Sequence, residues 1–140
     1  MKKRTWIGVA VLVLVAAVAV TVLTVPQNYF KSEDNLEIFR VEYVDAQQNL
    51  VDITDEIDAE LLETYLPLMQ CSRVRTRFGP YFLADCRYEI TIADHDNRNF
   101  IHILLGDSEL NYIYRASQGG YKIRNSEVWL TMLENGRNAE

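Results

Sequence analysis

The chain has 140 residues, of which 49% are hydrophobic and 24% charged, and its formal net charge is −6. Three of the 14 Lys and Arg residues precede an apolar segment near the N-terminus. The other 11 and all 20 acidic residues follow it, which gives that part a net charge of −9. Because phosphate binding needs clustered cations, this balance argues against nucleic acid and anionic lipid as partners.

Residues 6–25 form the apolar segment, and no charged residue lies between Arg4 and Lys31. As a helix the segment would be about 30 Å long, the thickness of the hydrocarbon core of a bilayer. Two interpretations stay open. In one, a secretory signal is cleaved after Ala17-Val18-Ala19; in the other, the helix is a retained anchor. The apolar run continues past Ala19, which favours the anchor.

The charges around the segment predict its orientation. Lys2, Lys3 and Arg4 precede it, and no excess of cations follows it. The positive-inside rule therefore puts the N-terminus in the cytoplasm and the C-terminal domain outside the cell membrane. The predicted parts are a cytoplasmic stub (1–5), a transmembrane anchor (6–25), a linker (26–35), an extracytoplasmic domain (36–135) and a tail (136–140). Tyr29 and Phe30 are expected at the membrane interface.

Alternating apolar residues predict strands at 36–44, 50–53, 72–78, 84–93, 100–105, 110–114 and 121–124. In the first strand, Phe39, Val41 and Tyr43 share one face. Apolar stripes predict one helix over 57–65 and a C-terminal helix from about residue 126. The short turns between strands indicate an α+β domain. It is an antiparallel meander sheet with one helix after the first strands and one C-terminal helix, both on one face.

Cys71 and Cys86 are the only cysteines. Outside the cytoplasm an even count of cysteines predicts a disulfide, here closing a loop of about 15 residues. The alternative is a pair of buried thiols that act as small hydrophobic side chains.

Arg73, Arg75 and Arg77 occupy alternate positions of one predicted strand. Three guanidinium groups on one face predict a site for an anion or an acidic partner, since planar forks bind carboxylates and phosphates well. The alternative is structural. Asp85 and Glu89 on the next predicted strand would pair with the arginines across the sheet.

Residue patterns that signal catalysis or cofactors are not found. Residues 94–97, Asp-His-Asp-Asn, lack the glycine and glutamate of a calcium loop and predict a hairpin turn, so no metal site is expected. No phosphate-binding loop, zinc spacing or dinucleotide fingerprint occurs, so no cofactor is expected. A thiol nucleophile at Cys86 with His102 as its base is the one catalytic pair the sequence offers.

Several sequence patterns in the C-terminal half of the chain resemble those of a known protein family. Gly120-Tyr121-Lys122-Ile123-Arg124 precedes a capped aromatic helix, and Gly79-Pro80 leads into Tyr88-Glu89-Ile90-Thr91-Ile92 and then residues 112–114. With the single apolar span, this pattern resembles a family of small membrane-anchored bacterial proteins from Gram-positive lineages whose domain has no assigned function. The resemblance implies a bacterial origin and an extracytoplasmic domain, and it assigns no catalytic residue.

The sequence thus predicts a membrane-anchored, non-enzymatic binding or accessory module. It would recognise a peptide, a cell-envelope component or a membrane protein through the outer face of its sheet. Two alternatives stay open. One is a small cell-envelope thiol hydrolase that uses Cys86 and His102, and the other is a regulator or inhibitor of a membrane enzyme that acts partly through the transmembrane helix.

Overall fold

The computed structural model describes residues 2–76, 86–107, 111–115 and 119–137. Its α-helices are α1 (Lys2–Thr24), α2 (Ala59–Tyr65) and α3 (Ser126–Arg137), and short 3₁₀ turns cover Thr54–Glu56 and Leu66–Leu68. The strands are β1 (Gln27–Asn28), β2 (Leu36–Val44), β3 (Leu50–Asp52), β4 (Gln70–Thr76), β5 (Tyr88–Asp94), β6 (Asn99–Leu105), β7 (Tyr112–Arg115) and β8 (Gly119–Ile123).

The eight strands form one antiparallel sheet in the order β1-β4-β8-β7-β6-β5-β2-β3. An apolar helix precedes it, a short helix lies between β3 and β4, and a helix follows β8. The predicted α+β class is therefore confirmed. Strands β5 to β8 form the expected meander, but β4 lies beside β8 and β1 rather than beside β5.

One face of the sheet, called the helix face here, packs against α2 and α3. Asp58 caps α2 by accepting a hydrogen bond from the Leu61 backbone nitrogen at 3.0 Å. Leu62 of α2 and Leu66 of the following 3₁₀ turn are buried four positions apart, as are Trp129 and Leu133 of α3. The shared core contains Leu62, Leu66, Trp129 and Leu133 from the helical side and Val41, Ile90, Ile92, Ile101, Ile103, Leu105 and Ile113 from the sheet.

A bulge in β2 changes which residues face the core. The register between β2 and β5 shifts between Ile38 and Arg40, so one extra residue is inserted at Phe39. Ile38 and Val41 are buried on the helix face, whereas Phe39 is 52% exposed and contacts Phe100. The prediction that Phe39 shares a face with Val41 is therefore wrong, because the extra residue turns the Phe39 side chain to the opposite face.

The segment after α1 belongs to the domain, although the sequence predicted a linker over residues 26–35. Gln27 pairs with Cys71 and Asn28 with Gln70 in the sheet. The next residue, Tyr29, donates its backbone N–H to the Met69 carbonyl at 3.1 Å.

One of the two aromatic residues of this segment, Phe30, also differs from expectation. Phe30 is only 3% exposed and lies in the core, so it is not at a membrane interface. Tyr29 packs against Tyr121, with ring centroids 5.8 Å apart. The domain therefore begins at Gln27, two residues after the apolar run ends.

An ion pair at one end of the helix face joins three parts of the chain. Asp94, which is 4% exposed, contacts Arg115 at 2.9 Å. Arg115 also donates to the Tyr29 hydroxyl at 3.4 Å and to Asn99 at 3.2 Å. Burial alone would raise the pKa of Asp94, yet hydrogen bonds from Asn97 and the contact with Arg115 lower it below its usual value.

The position of Phe30 gives a first prediction. Phe30→Ala removes a buried ring and should lower the free energy of unfolding by about 3 kcal/mol. Phe39→Ala is the matched control, because the ring is half exposed, and it should cost less than about 1 kcal/mol. Denaturant unfolding of the full chain in detergent measures both. Equal losses for the two variants would contradict the assignment of residues 27–30 to the domain.

Asp94 gives a second prediction, on pH. Asp94→Asn should cost about 2 kcal/mol near pH 7, between the values for exposed and buried ion pairs. Because the folded pKa of Asp94 is lowered, its stabilising contribution is complete above the unfolded pKa and is lost as the pH falls through the folded one. The Tm difference between wild type and Asp94→Asn should therefore shrink between about pH 5 and pH 2. A difference that stays constant over this range would show that the Asp94 charge does not contribute.

Candidate functional site

The face of the sheet opposite α2 and α3, called the second face here, brings polar side chains together. Residues paired directly across antiparallel strands lie on the same face. Thr91 of β5 pairs with His102 of β6, which pairs with Tyr114 of β7. The next row of the same face contains Glu89 and Leu104. These five residues from three neighbouring strands form the centre of the second face.

His102 is held by two residues of β5. Its Nδ1 lies 3.1 Å from Oε1 of Glu89 and 3.5 Å from Oγ1 of Thr91. The side chains of Glu89 and His102 are 13% and 26% exposed, so the pair is largely shielded from water. With Nδ1 facing the carboxylate, the ring orientation is fixed, and Nε2 makes no hydrogen bond to any described residue. Nε2 is therefore the ring atom that is placed to meet a ligand.

Tyr114 stacks on the imidazole of His102. The ring centroids are 5.1 Å apart and the planes differ by 19°. Burial, followed by electrostatic interaction with Glu89 and then with Cys86, raises the pKa of Tyr114 to about 12. The phenol is therefore protonated and neutral at physiological pH, which suits a hydrogen-bonding role rather than a basic one.

Cys86 lies on the same face but is oriented towards the backbone. It is buried with Val44 and Leu104, and Tyr114 packs against this cluster. Its Sγ lies 3.0 Å from the Tyr88 carbonyl and 3.7 Å from the Leu105 carbonyl, both of which accept from the thiol. The predicted pairing of Cys86 with His102 is not the arrangement found, since His102 is hydrogen-bonded to Glu89 and Thr91.

The predicted disulfide between Cys71 and Cys86 is not formed, and both sulfurs are thiols. Cys71 lies on β4 and Cys86 two residues before the start of β5, and β8, β7 and β6 separate these strands in the sheet. Four strand spacings of about 4.8 Å far exceed the Cα separation of about 7 Å that a disulfide permits. Burial raises the pKa of the Cys71 thiol, against a hydrogen bond with Gln27 that lowers it.

An exposed aromatic pair lies beside this centre. Phe39 and Phe100 are each about half exposed, and their ring centroids are 5.2 Å apart. The guanidinium of Arg40 lies 5.5 Å from the centroid of the Phe39 ring. Two contacting rings left in water on a sheet face form an apolar patch with a cation at its edge, a composition common in binding surfaces.

The predicted arginine row lies elsewhere, on β4. Arg73 and Arg75 are both exposed there, and Arg77 lies outside the described residues. Arg73 donates from Nε to the Val25 carbonyl at 3.1 Å, and the guanidinium of Arg75 lies 5.7 Å from the centroid of the Tyr121 ring. Pairing with Glu89 is ruled out because β5 is not adjacent to β4; Asp85 lies outside the described residues.

The Asp-His-Asp-Asn stretch forms the β5–β6 hairpin turn, as predicted. Asp94 accepts from the backbone nitrogen of Asn97 at 3.0 Å, and His95 lies 2.8 Å from Glu37. Within the described ranges, no three His, Cys, Asp or Glu side chains converge on a point that could hold a metal ion.

A surface groove of about 420 Å³ adjoins the start of α3. Lys122 and Arg124 line it together with Asp107 and Glu127, so cations and anions are balanced along its walls. A groove of this mixed charge has no preference for an anionic or a cationic ligand.

Sequence reasoning named His102 but missed Glu89, Thr91 and Tyr114 as its neighbours. A signal was present, because the hairpin turn at residues 94–97 joins two predicted strands and fixes their register. Counting outward from that turn places Thr91 opposite His102. Phe39 could not be assigned in this way, because a bulge leaves no trace in the alternation of β2.

The two thiols give a third prediction. The folded chain should resist maleimide, and denaturation without any reductant should expose two reactive thiols per molecule. Mass spectrometry of the labelled chain counts them, and a Cys71→Ser variant should give one. Labelling that appears only after reduction would show that the disulfide exists and that the arrangement of β4 and β5 is wrong.

Comparisons with known proteins identify no relative whose function could be assigned to this chain. No family model, no curated protein and no solved structure matches the chain. The residues of the chain itself are therefore the basis for a functional proposal.

Proposed function

We propose that the protein is a single-pass, membrane-anchored binding module without catalytic activity, and that its ligand meets the second face of the sheet. The observation that carries this proposal is the half-exposed pair Phe39 and Phe100, next to the oriented imidazole of His102. The ligand chemistry that fits is a peptide or cell-envelope component with an apolar or aromatic group for the rings and a hydrogen-bonding group for Nε2.

The anchor is supported by α1. Residues Trp6–Thr24 form the one helix within the described part of the chain that is long and apolar enough to cross a membrane, and none of it is buried against the domain. The helix leads within two residues into strand β1, and Arg73 contacts the carbonyl of Val25. Cleavage after Ala19 would leave Val20, Val22 and Val25 as an exposed apolar stub, so retention is favoured over a removed signal.

Orientation follows from charge. Lys2, Lys3 and Arg4 before the span favour a cytoplasmic N-terminus and a C-terminal domain outside the cell membrane. An extracytoplasmic domain of a small Gram-positive membrane protein, as the resemblance implies, agrees with this placement.

The thiol hydrolase is the less favoured candidate. A nucleophilic thiolate needs a base within hydrogen-bond reach, or a neighbouring cation or helix N-terminus. The Cys86 thiol instead donates to two backbone carbonyls, and the imidazole faces a carboxylate. These contacts fix the orientation of both side chains and do not activate a nucleophile.

A fourth prediction tests the binding face in intact bacterial cells. A photo-crosslinking residue at Phe100 should give one discrete adduct with the full-length chain. The same residue at Val128, which is similarly exposed but lies on α3, should give none. Gel mobility and mass spectrometry identify adducts in the membrane fraction. Adducts of equal yield from both positions, or from Val128 alone, would exclude the second face as the binding surface.

The same preparation tests the anchor. Alkaline carbonate should leave the chain in the membrane pellet with its N-terminal residues intact, and protease added outside the cells should digest the domain. A soluble chain that begins near Val20 would show that the segment is a cleaved signal and would overturn the anchor.

A further inference from the structure

The strand that carries Arg73 and Arg75 runs back along the end of the apolar helix. Strand β1 follows α1 directly and pairs antiparallel with the first two residues of β4. Beyond Cys71, β4 therefore runs back towards the end of α1. The two elements are in contact, and Nε of Arg73 donates to the Val25 carbonyl at 3.1 Å. If α1 spans a membrane, this part of β4 lies at its surface.

This part of β4 has no strand on its outer side among the described residues. Strand β1 covers only Gln70 and Cys71, whereas β8 pairs with β4 on the inner side as far as Thr76. Arg73, Val74 and Arg75, called the membrane edge here, therefore form an exposed segment next to the end of α1.

The charges of the membrane edge are not neutralised within the described part of the chain. Neither Arg73 nor Arg75 has a carboxylate within ion-pair distance there. Most other arginines of the domain do have one, namely Arg40, Arg87, Arg115 and Arg137. Arg73 uses one of its five N–H groups on Val25, so its other donors remain for a ligand. Both cations are kept without acidic neighbours in a domain that is otherwise strongly acidic.

The uncharged residues of the same region suit the boundary between headgroups and acyl chains. Val74, between the two arginines, is 50% exposed, and Val25 is similarly exposed at the end of the apolar run. Tyr29 and Tyr121 pack together beside Arg75. Aromatic and basic residues that follow a span are typical of this boundary, and a guanidinium can bind a phosphate with two hydrogen bonds.

We infer that Arg73 and Arg75 bind the phosphates of anionic phospholipid headgroups in the leaflet next to the domain. This inference rests on the proposed function in one respect, that α1 is a retained span. The negative net charge of the residues after the span argues against anionic lipid only as an average over the whole domain. The local charge at the membrane edge is positive, and the span holds that edge at the surface. Each arginine should enrich anionic lipid at the edge about fivefold.

The test uses the full chain in vesicles of phosphatidylcholine with a minority of phosphatidylglycerol. Val74→Cys supplies a site for an environment-sensitive bimane, since Cys71 and Cys86 are buried. Phosphatidylglycerol or phosphatidylcholine that carries a spin label near the top of its acyl chain quenches the bimane when it lies close. The ratio of the two quenching constants measures local enrichment of the anionic lipid, and basic residues on the other side of the membrane do not contribute.

We expect the ratio to fall about fivefold with Arg73→Gln and again with Arg75→Gln. Glutamine retains a donor for the Val25 carbonyl, so the fold should persist. Arg124→Gln is the matched control: it removes the same charge from an exposed arginine beside Gln70, at the far end of β4, and should change the ratio less than twofold.

When the chain is retained in the vesicles, two results would overturn the inference. In one, neither lipid quenches the bimane although the chain stays in vesicles after alkaline wash, so the edge is not at the surface. In the other, the ratio is the same in wild type and in the Arg73→Gln/Arg75→Gln variant, or falls equally with Arg124→Gln. A chain that is washed out of the vesicles refutes the anchor, and with it the inference.

Discussion

The pairing of β1 with β4 is the constraint on which the rest of the structure depends. Two residue pairs, Gln27 with Cys71 and Asn28 with Gln70, connect the end of the apolar helix to the sheet. These pairs place Phe30 in the core and direct β4 back along the helix. Since backbone hydrogen bonds need fixed register, this short ladder determines which residues of β4 lie beside the end of the apolar helix.

The local features of the fold could be predicted from the sequence. Tyr88, Ile90 and Ile92 alternate with polar residues, and a period of two is visible in any single strand. The order of strands could not be predicted, because it depends on contacts between distant residues. The sequence places β4 just before β5, yet three strands separate them in the sheet. The predicted pairing of the arginines with Glu89 assumed that β4 and β5 are neighbours, and the predicted disulfide requires the two strands to be close, so both fail for this one reason.

The candidate site was predictable in part for similar physical reasons. His102 stood out as a polar residue in an apolar strand, and the hairpin turn before β6 determines its neighbour Thr91. The exposed pair Phe39 and Phe100 depends on one extra residue in β2. Such a bulge is a response to the neighbouring strand, and β2 read alone alternates as if it were regular. The same holds for Arg73, whose contact with Val25 joins residues 48 positions apart in the chain.

The absence of a linker after α1 has a mechanical consequence. Transmembrane helices tilt when their apolar length exceeds the thickness of the bilayer, and a flexible linker would absorb that rotation. Here only Val25 and Pro26 separate the helix from a hydrogen-bonded strand, and Arg73 links Val25 to β4. If α1 spans a membrane, a tilt of α1 would therefore be transmitted to the sheet, and a thinner bilayer would turn the second face of the domain relative to the membrane plane.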